Sequence, residues 1–325
     1  MPLTSSETPL TAPDVSVVIV TYNAGHLVEE CLRSVTGPNA PSVSHEVIAL
    51  DNASQPSLVP LLQRFLPAHR VVGVPKNIGF GRACNLGAER ARGRYVLLLN
   101  PDAVAEPGAI DAMVRAADGE SRCGVLGGQT VDRDGRIDPK SCWGAPTVWS
   151  QFCFATGLSS VFRRNRFFDP ESLGKWDRTS MRDVPIVTGC LMMLPRELWL
   201  ALGGFDPDYF MYGEDADLCR RVSQLGRRIW ITPDAVAMHE VGASSSDSAA
   251  KTVLLLKGKM TYLRKNMRPA EAAAARRLLM GGVALRALGA RLRGRRDSGW
   301  IGAWSRRSQW AKGYATYDPS RPDAQ

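Results

Sequence analysis

Apolar runs that end in polar residues recur four times in the first hundred residues of the chain. They span residues 15–20, 46–50, 71–74 and 94–99, and stretches with helical spacing of apolar residues separate them. Strands this rich in Val, Ile and Leu are typical of a parallel sheet that helices cover on both faces. The pattern therefore predicts an α/β fold with a mixed, mainly parallel sheet flanked by helices, and a ligand crevice at the carboxyl ends of the strands.

The chain becomes less regular after these four repeats. Residues 119–180 hold many Gly, Pro, Trp and Arg residues, and we expect them to form a long excursion over the sheet. Beyond it the pattern predicts a strand, a helix and two short strands, at 184–194, 216–225, 228–231 and 235–238.

Charge divides the chain into a main body and a basic end. Residues 251–325 carry 17 Lys or Arg and 4 Asp or Glu, whereas residues 1–250 carry 24 and 28. We therefore predict a flexible N-terminus at 1–13, a main domain at 14–250 and a basic helical C-terminal extension at 251–325. Because the main domain is slightly acidic and holds no recognition motif, we expect no nucleic-acid partner.

Cysteine use and hydropathy indicate the compartment. The seven cysteines include no C-x-x-C pair, which favours reduced, buried thiols over a disulfide framework or a zinc site. No run reaches the roughly 18 apolar residues that a membrane span requires, and the N-terminus lacks the pattern of a signal peptide. The sequence predicts a cytoplasmic protein.

Two acidic signatures are candidates for the chemistry. One is Asn100-Pro101-Asp102 at the end of an apolar run, and the other is Glu214-Asp215 at the start of a predicted helix. Helical spacing places Asp215 on the face of the apolar residues that follow it, pointing inward, whereas Asp217 does not lie on that face. An inward carboxylate can accept a proton from a substrate hydroxyl, but the same residues can also simply cap the helix.

Asp102 and His239 form a candidate metal site, because each follows a predicted strand. A hard divalent cation such as Mg²⁺ or Mn²⁺ takes carboxylate and diphosphate oxygens, and Mn²⁺ also accepts an imidazole. The alternatives are that Asn-Pro-Asp forms an ordinary turn and that His239 is structural.

Other polar residues at the predicted strand ends are candidates for binding a nucleotide. Tyr22, Asp51 and Asn77 follow three different strands, where an aromatic ring and a carboxylate can recognise a base. The glycine-rich segment 77–85 opens a helix with Arg82 about one turn in, an arrangement that can cradle phosphate. Each of these residues could equally be a turn residue.

Taken together, these segments resemble the family 2 glycosyltransferases of the Rossmann-like GT-A fold, and within them a bacterial rhamnosyltransferase-like branch. The resemblance covers about residues 15–245 and rests on an ordered series of short motifs. The motifs are Val15-Ser-Val-Val-Ile-Val-Thr-Tyr-Asn23, Asp51-Asn-Ala-Ser54, Asn77-Ile-Gly-Phe-Gly-Arg-Ala-Cys-Asn-Leu-Gly87, Leu98-Leu-Asn-Pro-Asp102, Thr188-Gly-Cys190, Gly203-Gly-Phe-Asp206, Phe210-Met-Tyr-Gly-Glu-Asp-Ala-Asp-Leu218 and Pro233-Asp-Ala-Val-Ala-Met-His239.

The resemblance implies a role for each candidate residue in an inverting transfer of a sugar. Asp215 is expected to be the general base with Glu214 beside it, and Asp102 and His239 are expected to hold a divalent cation, Mg²⁺ or Mn²⁺. The residues expected to bind the nucleotide-sugar donor are Thr21, Tyr22, Asn23, Asp51, Asn77, Gly79, Arg82 and Asn100. The branch points to dTDP-L-rhamnose as donor and to a glycan or polyprenyl-linked acceptor in cell-envelope or polysaccharide synthesis. A galactofuranosyl or hexosyl donor stays open, and a nucleotidyltransferase is the less favoured alternative.

The basic extension has two interpretations that the sequence leaves open. It can be a solvated helical segment that packs on the catalytic domain. It can also be an amphipathic Leu/Arg helix that, with Trp300, Trp304 and Trp310, contacts the anionic inner face of the plasma membrane near a lipid-linked acceptor.

Overall fold

The computed structural model describes residues 12–239, 248–295 and 298–320. The predicted flexible N-terminus lies outside these residues up to position 11. The strands are β1 (Val15–Thr21), β2 (His45–Asp51), β3 (Val71–Gly73), β4 (Tyr95–Leu99), β5 (Ala103–Ala105), β6 (Cys123–Val131), β7 (Cys142–Trp143), β8 (Arg182–Asp183), β9 (Ile186–Val187), β10 (Leu191–Pro195) and β11 (Arg228–His239).

Helices cover both faces of the sheet and make up the C-terminal region. They are α1 (Gly25–Thr36), α2 (Val59–Leu62), α3 (Phe80–Ala88), α4 (Ala109–Asp118), α5 (Val148–Thr156), α6 (Leu158–Val161), α7 (Arg196–Leu202), α8 (Glu214–Gln224), α9 (Ser248–Asn266), α10 (Pro269–Leu292), α11 (Gly299–Ser305) and α12 (Arg307–Trp310). Short 3₁₀ turns occupy Ala68–Arg70, Pro139–Ser141 and Pro170–Ser172.

The main sheet runs in the order β3-β2-β1-β4-β10-β6-β11-β5, with β8 beside β11. Strands β1 to β4 pair in parallel, β10 is antiparallel to both β4 and β6, and β11 is parallel to β6. The predicted mixed, mainly parallel sheet is confirmed. As a result, the carboxyl ends of β1, β2, β4, β6 and β11 meet at one edge of the sheet together with the amino end of β10. We call this the C-terminal edge.

The two faces of the sheet are both buried, as the apolar runs predicted. One apolar cluster joins the sheet to α1 and α4, and a second joins it to α3, α7 and α8. All seven cysteines are buried and free, which agrees with the prediction of reduced thiols.

Three local predictions were wrong. The excursion at 119–180 contains β6, a nine-residue strand buried along its whole length, which its three glycines hid from the pattern. The apolar run 184–194 divides into β9 and β10, and the two short strands after residue 228 form one strand, β11, that a bulge interrupts.

The C-terminal extension packs on the rest of the protein through its own apolar cluster. Trp310 is fully buried and its indole Nε1–H donates to the carbonyl of Ala303 at 2.8 Å, while Phe154 of α5 packs against the extension. The packing that the first interpretation predicts is therefore observed. Trp310 is buried and cannot contact a membrane in this arrangement, whereas membrane contact by the rest of the extension stays a prediction. Among the helices of the described residues, none is long and apolar enough to cross a bilayer.

Candidate active site

Asp102 and His239 lie side by side at the C-terminal edge. Strand β5 follows Asp102 and pairs antiparallel with β11, so that Ala103 stands opposite His239. The Nε2 atom of His239 is 3.3 Å from Oδ1 of Asp102, and both side chains are largely buried. Burial lowers the pKa of His239, but the Asp102 carboxylate and Cys190 outweigh that effect and raise the pKa to about 10. Without a bound cation the ring therefore carries a positive charge against the carboxylate at neutral pH, and a cation that bound to Nε2 would displace that proton.

The Asp102–His239 pair fits a divalent cation that is shared with a substrate. Oδ1 of Asp102 is buried and has no aligned hydrogen-bond partner among the described residues. The same residues hold no group of three or more His, Cys, Asp or Glu side chains arranged around a common point. A carboxylate and an imidazole suit Mn²⁺ when oxygens of a diphosphate complete the coordination.

Glu214 and Asp215 begin helix α8, directly after Gly213, whose φ of 95° is left-handed. Oδ1 of Asp215 accepts the N–H of Ala216 at 2.7 Å. Burial raises the pKa of Asp215, although hydrogen bonds from the N–H groups of Ala216 and Gly189 lower it in part. A carboxylate with a raised pKa is better suited to accept a proton near neutral pH than an ordinary aspartate.

Glu214 is more deeply buried than Asp215, and its carboxyl group has a different environment. Its side chain is 4% exposed, and its Oε2 atom has no hydrogen-bond partner among the described residues. Burial, together with the charge of Asp215, raises the pKa of Glu214 to about 8. A pKa of about 8 favours the protonated, neutral form of Glu214 at pH 7.

The prediction that Asp217 does not point into the protein was wrong. Asp217 is 3% exposed, and its carboxylate is held by Arg221 at 2.8 Å and by Asn266 at 2.9 Å. Helical spacing identified only the apolar face of α8. It could not show that α9, which carries Asn266, covers a second face of the same helix.

The segment 188–190 connects the two acidic sites. The N–H of Asn100, two residues before Asp102, donates to the carbonyl of Cys190 at 2.9 Å. The adjoining Gly189 N–H points to Asp215. This segment precedes β10, and it places the cation candidate and the base candidate at the same edge of the sheet.

The loops on the nucleotide side are held together by amide and carboxylate side chains. Asp51 is 2% exposed, and its carboxylate accepts from the N–H of Ser54, the hydroxyl of Ser57 and the N–H of Leu58 at 2.8 to 3.0 Å. These bonds lower the pKa of Asp51 against the opposing effect of burial. The structure thus gives Asp51 a role in shaping its loop, and its contact with a base stays a prediction.

Asn77 and Gly79 shape the glycine-rich segment. The Asn77 side-chain oxygen accepts from the Asn52 amide at 3.0 Å and from the Gly79 N–H at 2.9 Å. Gly79 has a φ of 88°, and a Cβ atom there would collide with the carbonyl oxygen of Phe210. The segment therefore lies directly on the chain that leads to α8.

The predicted residues at the end of β1 differ in their exposure. Tyr22 is 47% exposed, whereas Thr21 is buried and its hydroxyl has no partner among the described residues. Asn23 has a φ of 54° and accepts the N–H of Gln55, which ties the β1 and β2 loops together. Among these residues Tyr22 has the ring surface that a base can cover.

Arg82 lies under the C-terminal segment. Its guanidinium donates to the carbonyl of Pro207 at 3.0 Å and stacks over the ring of Tyr317, 4.3 Å from the centroid. Burial lowers its pKa, against the opposing effect of Tyr317 and Asp208. The Tyr317 ring therefore covers part of the Arg82 guanidinium, a contact from the far end of the chain that the sequence pattern did not indicate.

The C-terminal extension braces the segment that precedes α8, a function that sequence reasoning missed. Tyr314 donates its hydroxyl to the carbonyl of Met211 at 2.6 Å, and Lys265 pairs with Asp206 and Asp208 at 2.5 and 2.7 Å. Close packing adds to these bonds, because a Cβ atom at Gly258 of α9 would overlap the carbonyl of Tyr212. These partners are 46 or more residues apart in the chain, so no local pattern links them.

Comparison with known proteins agrees with this geometry. Residues 13–256 match the model of the family described as Glycosyltransferase like family 2. The chain belongs to glycosyltransferase family 2. The predicted enzyme class is thereby confirmed.

Relatives within glycosyltransferase family 2 include enzymes named for rhamnose transfer. The chain is 29% identical over 265 residues to N-acetylglucosaminyl-diphospho-decaprenol L-rhamnosyltransferase of Mycobacterium tuberculosis, which covers 76% of this chain and 82% of the relative. It is 23% identical over 238 residues to rhamnosyltransferase WbbL of Escherichia coli, covering 69% and 83%.

A solved structure confirms the GT-A fold of this family 2 chain. Mannosyltransferase PcManGT from Pyrobaculum calidifontis, in complex with GDP-Man and Mn²⁺, superposes with a TM-score of 0.55 at 19% identity. The match covers 96% of this chain and 91% of the other. Because it extends past the family match, the C-terminal helices belong to the region of structural likeness.

Proposed function

We propose that this family 2 glycosyltransferase is an inverting enzyme that transfers L-rhamnose from dTDP-L-rhamnose to a hydroxyl of a polyprenyl-linked sugar or glycan. The observation that supports this most is the placement of Asp215 at the same sheet edge as the Asp102–His239 pair. An acceptor base and a site for the leaving diphosphate are the two parts that a single displacement at a sugar carbon requires. The names of the relatives supply the choice of sugar and of acceptor class.

In the proposed reaction Asp215 accepts the proton of the acceptor hydroxyl. The oxygen then forms a bond to the anomeric carbon while the bond from that carbon to the diphosphate oxygen breaks, and the configuration inverts. The raised pKa of Asp215 favours this proton transfer, and the N–H groups of Ala216 and Gly189 fix the orientation of the carboxylate. Glu214, whose pKa burial and the charge of Asp215 raise to about 8, is proposed to stay protonated beside Asp215.

Asp102 and His239 are proposed to hold Mg²⁺ or Mn²⁺ against the diphosphate of the donor. Such a cation supplies positive charge opposite the departing nucleoside diphosphate. On the nucleotide side, the exposed ring of Tyr22 is proposed to cover the base, and Thr21, Asn23, Asp51, Asn77, Gly79 and Asn100 to form the walls of the binding site. Arg82, which stacks on Tyr317, is proposed to join them as a phosphate contact.

A polyprenyl-linked acceptor is anchored in a bilayer, so the proposal places the enzyme at the inner face of the plasma membrane. Transfer of a galactofuranosyl or hexosyl group is the second candidate. It draws support from the fold alone, since the superposed mannosyltransferase is bound to GDP-Man.

The donor is tested by thermal unfolding with dTDP-L-rhamnose, UDP-galactofuranose, UDP-glucose and GDP-mannose, each with and without Mn²⁺. A ligand at 100 times its dissociation constant stabilises a protein by about 2.7 kcal/mol, so the true donor raises the melting temperature at the lowest concentration. We expect dTDP-L-rhamnose with Mn²⁺ to give the largest rise. A larger rise with another donor would overturn the choice of sugar.

Asp102→Asn tests the cation in the same assay, with Asp134→Asn in an exposed turn as the matched control. The Asp102 variant is expected to lose the part of the shift that depends on Mn²⁺, and the control is expected to keep it. Equal Mn²⁺ dependence in both variants would contradict the assignment.

A further inference from the structure

An exposed aromatic cluster lies on and after α5. Trp149 and Phe152 stack at 5.5 Å between ring centroids, and Phe167 meets Trp149 at 5.4 Å. Phe162 is 45% exposed and Phe167 is 63% exposed. Aromatic side chains that pack on one another while facing water form an apolar patch, which is uncommon unless the surface meets a partner.

Helix α10 presents a second apolar surface beside this cluster. Leu285, Leu288 and Leu292 are 59%, 53% and 80% exposed, and their spacing of three and four residues places them on one face of the helix. The opposite face is already used, since Leu279 and Val283 are buried in the C-terminal cluster. The exposed leucines are therefore not required to hold α10 in place.

Arg286 joins the two surfaces. Its guanidinium stacks over Phe154 of α5 at 3.6 Å from the centroid and donates to the Phe154 carbonyl at 2.6 Å. It also donates to the hydroxyl of Ser160 at 3.4 Å, so the turn that leads to Phe162 lies alongside α10. We call the combined region, residues 149–167 and the exposed face of 281–295, the aromatic–leucine surface.

The charged residues of this surface are all basic. Residues 139–168 contain four Lys or Arg and no Asp or Glu, and residues 272–295 contain six Arg and again no acid. Arg163, Arg166, Arg291 and Arg295 are all exposed. Apolar side chains surrounded by arginines match a bilayer with anionic headgroups, because the arginines pair with the headgroups while the apolar groups enter the boundary of the acyl chains.

We propose that the aromatic–leucine surface is a docking surface for an anionic lipid bilayer. It builds on the proposed function, which places the acceptor in the membrane. It assigns the contact to α5, the segment 157–167 that follows it and α10, instead of to the tryptophans of the extension. The test separates the two proposals, since binding to lipid vesicles requires neither donor nor acceptor.

The experiment is sedimentation of the full chain with large vesicles of phosphatidylcholine, alone or mixed with phosphatidylglycerol, at low and high salt. Three variants are compared with the wild type: Leu285→Gln with Leu288→Gln, Phe162→Ser with Phe167→Ser, and Arg163→Gln with Arg166→Gln. The control, Arg64→Gln with Arg90→Gln, removes the same charge from exposed positions near α2 and α3. Thermal unfolding checks that each variant is folded.

We expect the wild type to bind anionic vesicles and to be released by salt. Each arginine near the surface contributes about a fivefold change in partitioning, so the Arg163 and Arg166 variant should bind roughly 25-fold more weakly to anionic vesicles. The leucine and phenylalanine variants should each lose at least tenfold, and the control variant should lose less than the Arg163 and Arg166 variant.

Three outcomes would overturn the proposal. One is the absence of sedimentation with anionic vesicles. A second is equal binding by the folded surface variants and the control. The third is a concentration-dependent dimer that the leucine variant abolishes in the absence of vesicle binding, which would assign the surface to self-association.

Discussion

Replacement of Glu214 by Gln should remove a loss of stability that the wild type suffers as pH rises. The stability of the variant relative to the wild type should therefore increase with pH. Glu214 is 4% exposed and has a pKa of about 8 in the folded protein, whereas the ordinary value is 4.5. At a pH between 4.5 and about 8 the Glu214 side chain therefore holds a proton in the folded state that it has released in the unfolded state. Since stability falls with rising pH wherever the folded state binds more protons, the wild type loses stability across this window and the neutral glutamine does not.

The size of this stability change follows from the uptake of one proton by Glu214. A full proton difference changes the free energy of unfolding by about 1.4 kcal/mol for each pH unit. From pH 5.5 to 7.5 the wild type should lose about 2.5 kcal/mol relative to Glu214→Gln, after allowance for partial titration at both ends. At roughly 2 °C per kcal/mol for a chain of this size, the difference in melting temperature should change by about 5 °C.

Melting temperatures of the two proteins are measured at half-unit steps between pH 5.5 and 7.5. The matched control is Glu89→Gln, which makes the same substitution at an exposed position at the end of α3. Any constant cost of placing an amide in the buried site cancels, because only the slope with pH matters. A difference in melting temperature between wild type and Glu214→Gln that stays constant over this range would show that Glu214 does not hold a proton in the folded protein.

Three further substitutions test the packing around the site. Trp310→Ala should lower the free energy of unfolding by about 3–5 kcal/mol in chemical denaturation, because the ring is fully buried; a loss below 1 kcal/mol would show that the extension does not share the core. Tyr314→Phe removes the hydrogen bond to the Met211 carbonyl and should lower the free energy of unfolding by about 1 kcal/mol. It should also lower the transfer rate at saturating donor without weakening donor binding. An unchanged rate would show that Tyr314 contributes to stability alone. Gly79→Ala should unfold at a clearly lower temperature than Gly135→Ala, because both have positive φ but only Gly79 lacks space for a Cβ; equal melting temperatures would contradict the steric argument.

The order of apolar runs was sufficient to predict the parallel half of the sheet. Strands β1, β2 and β4 are buried on both faces over nearly their whole length, so their central positions are apolar or small and the signal is strong. The strand β6 was missed because Gly124, Gly127 and Gly128 stand where neighbouring groups approach the backbone closely. A Cβ at Gly127 would crowd Val187, a contact that depends on tertiary packing and leaves no periodic pattern in the sequence.

The candidate site was predictable where it depends on strand ends and unpredictable where it depends on the extension. Asp102 lies three residues after β4 and His239 ends β11, and the sheet order brings Oδ1 of Asp102 to 3.3 Å from Nε2 of His239. The burial of Asp217 and the cover over Arg82 both come from residues beyond 260, through Asn266 and Tyr317. A helix-face argument uses only neighbours within the helix, so it could not include these contacts.

The substitution Asp215→Asn tests most directly whether Asp215 is the general base, when sugar transfer and donor binding are measured separately. General base catalysis contributes about 10² to 10⁴ in rate, so transfer should fall by that factor while the donor raises the melting temperature as it does in the wild type. Asp217→Asn, at the buried carboxylate bonded to Arg221, should instead lower stability and leave transfer by the folded enzyme much less affected. Transfer by Asp215→Asn within a few-fold of the wild type would contradict the assignment of Asp215 as the base.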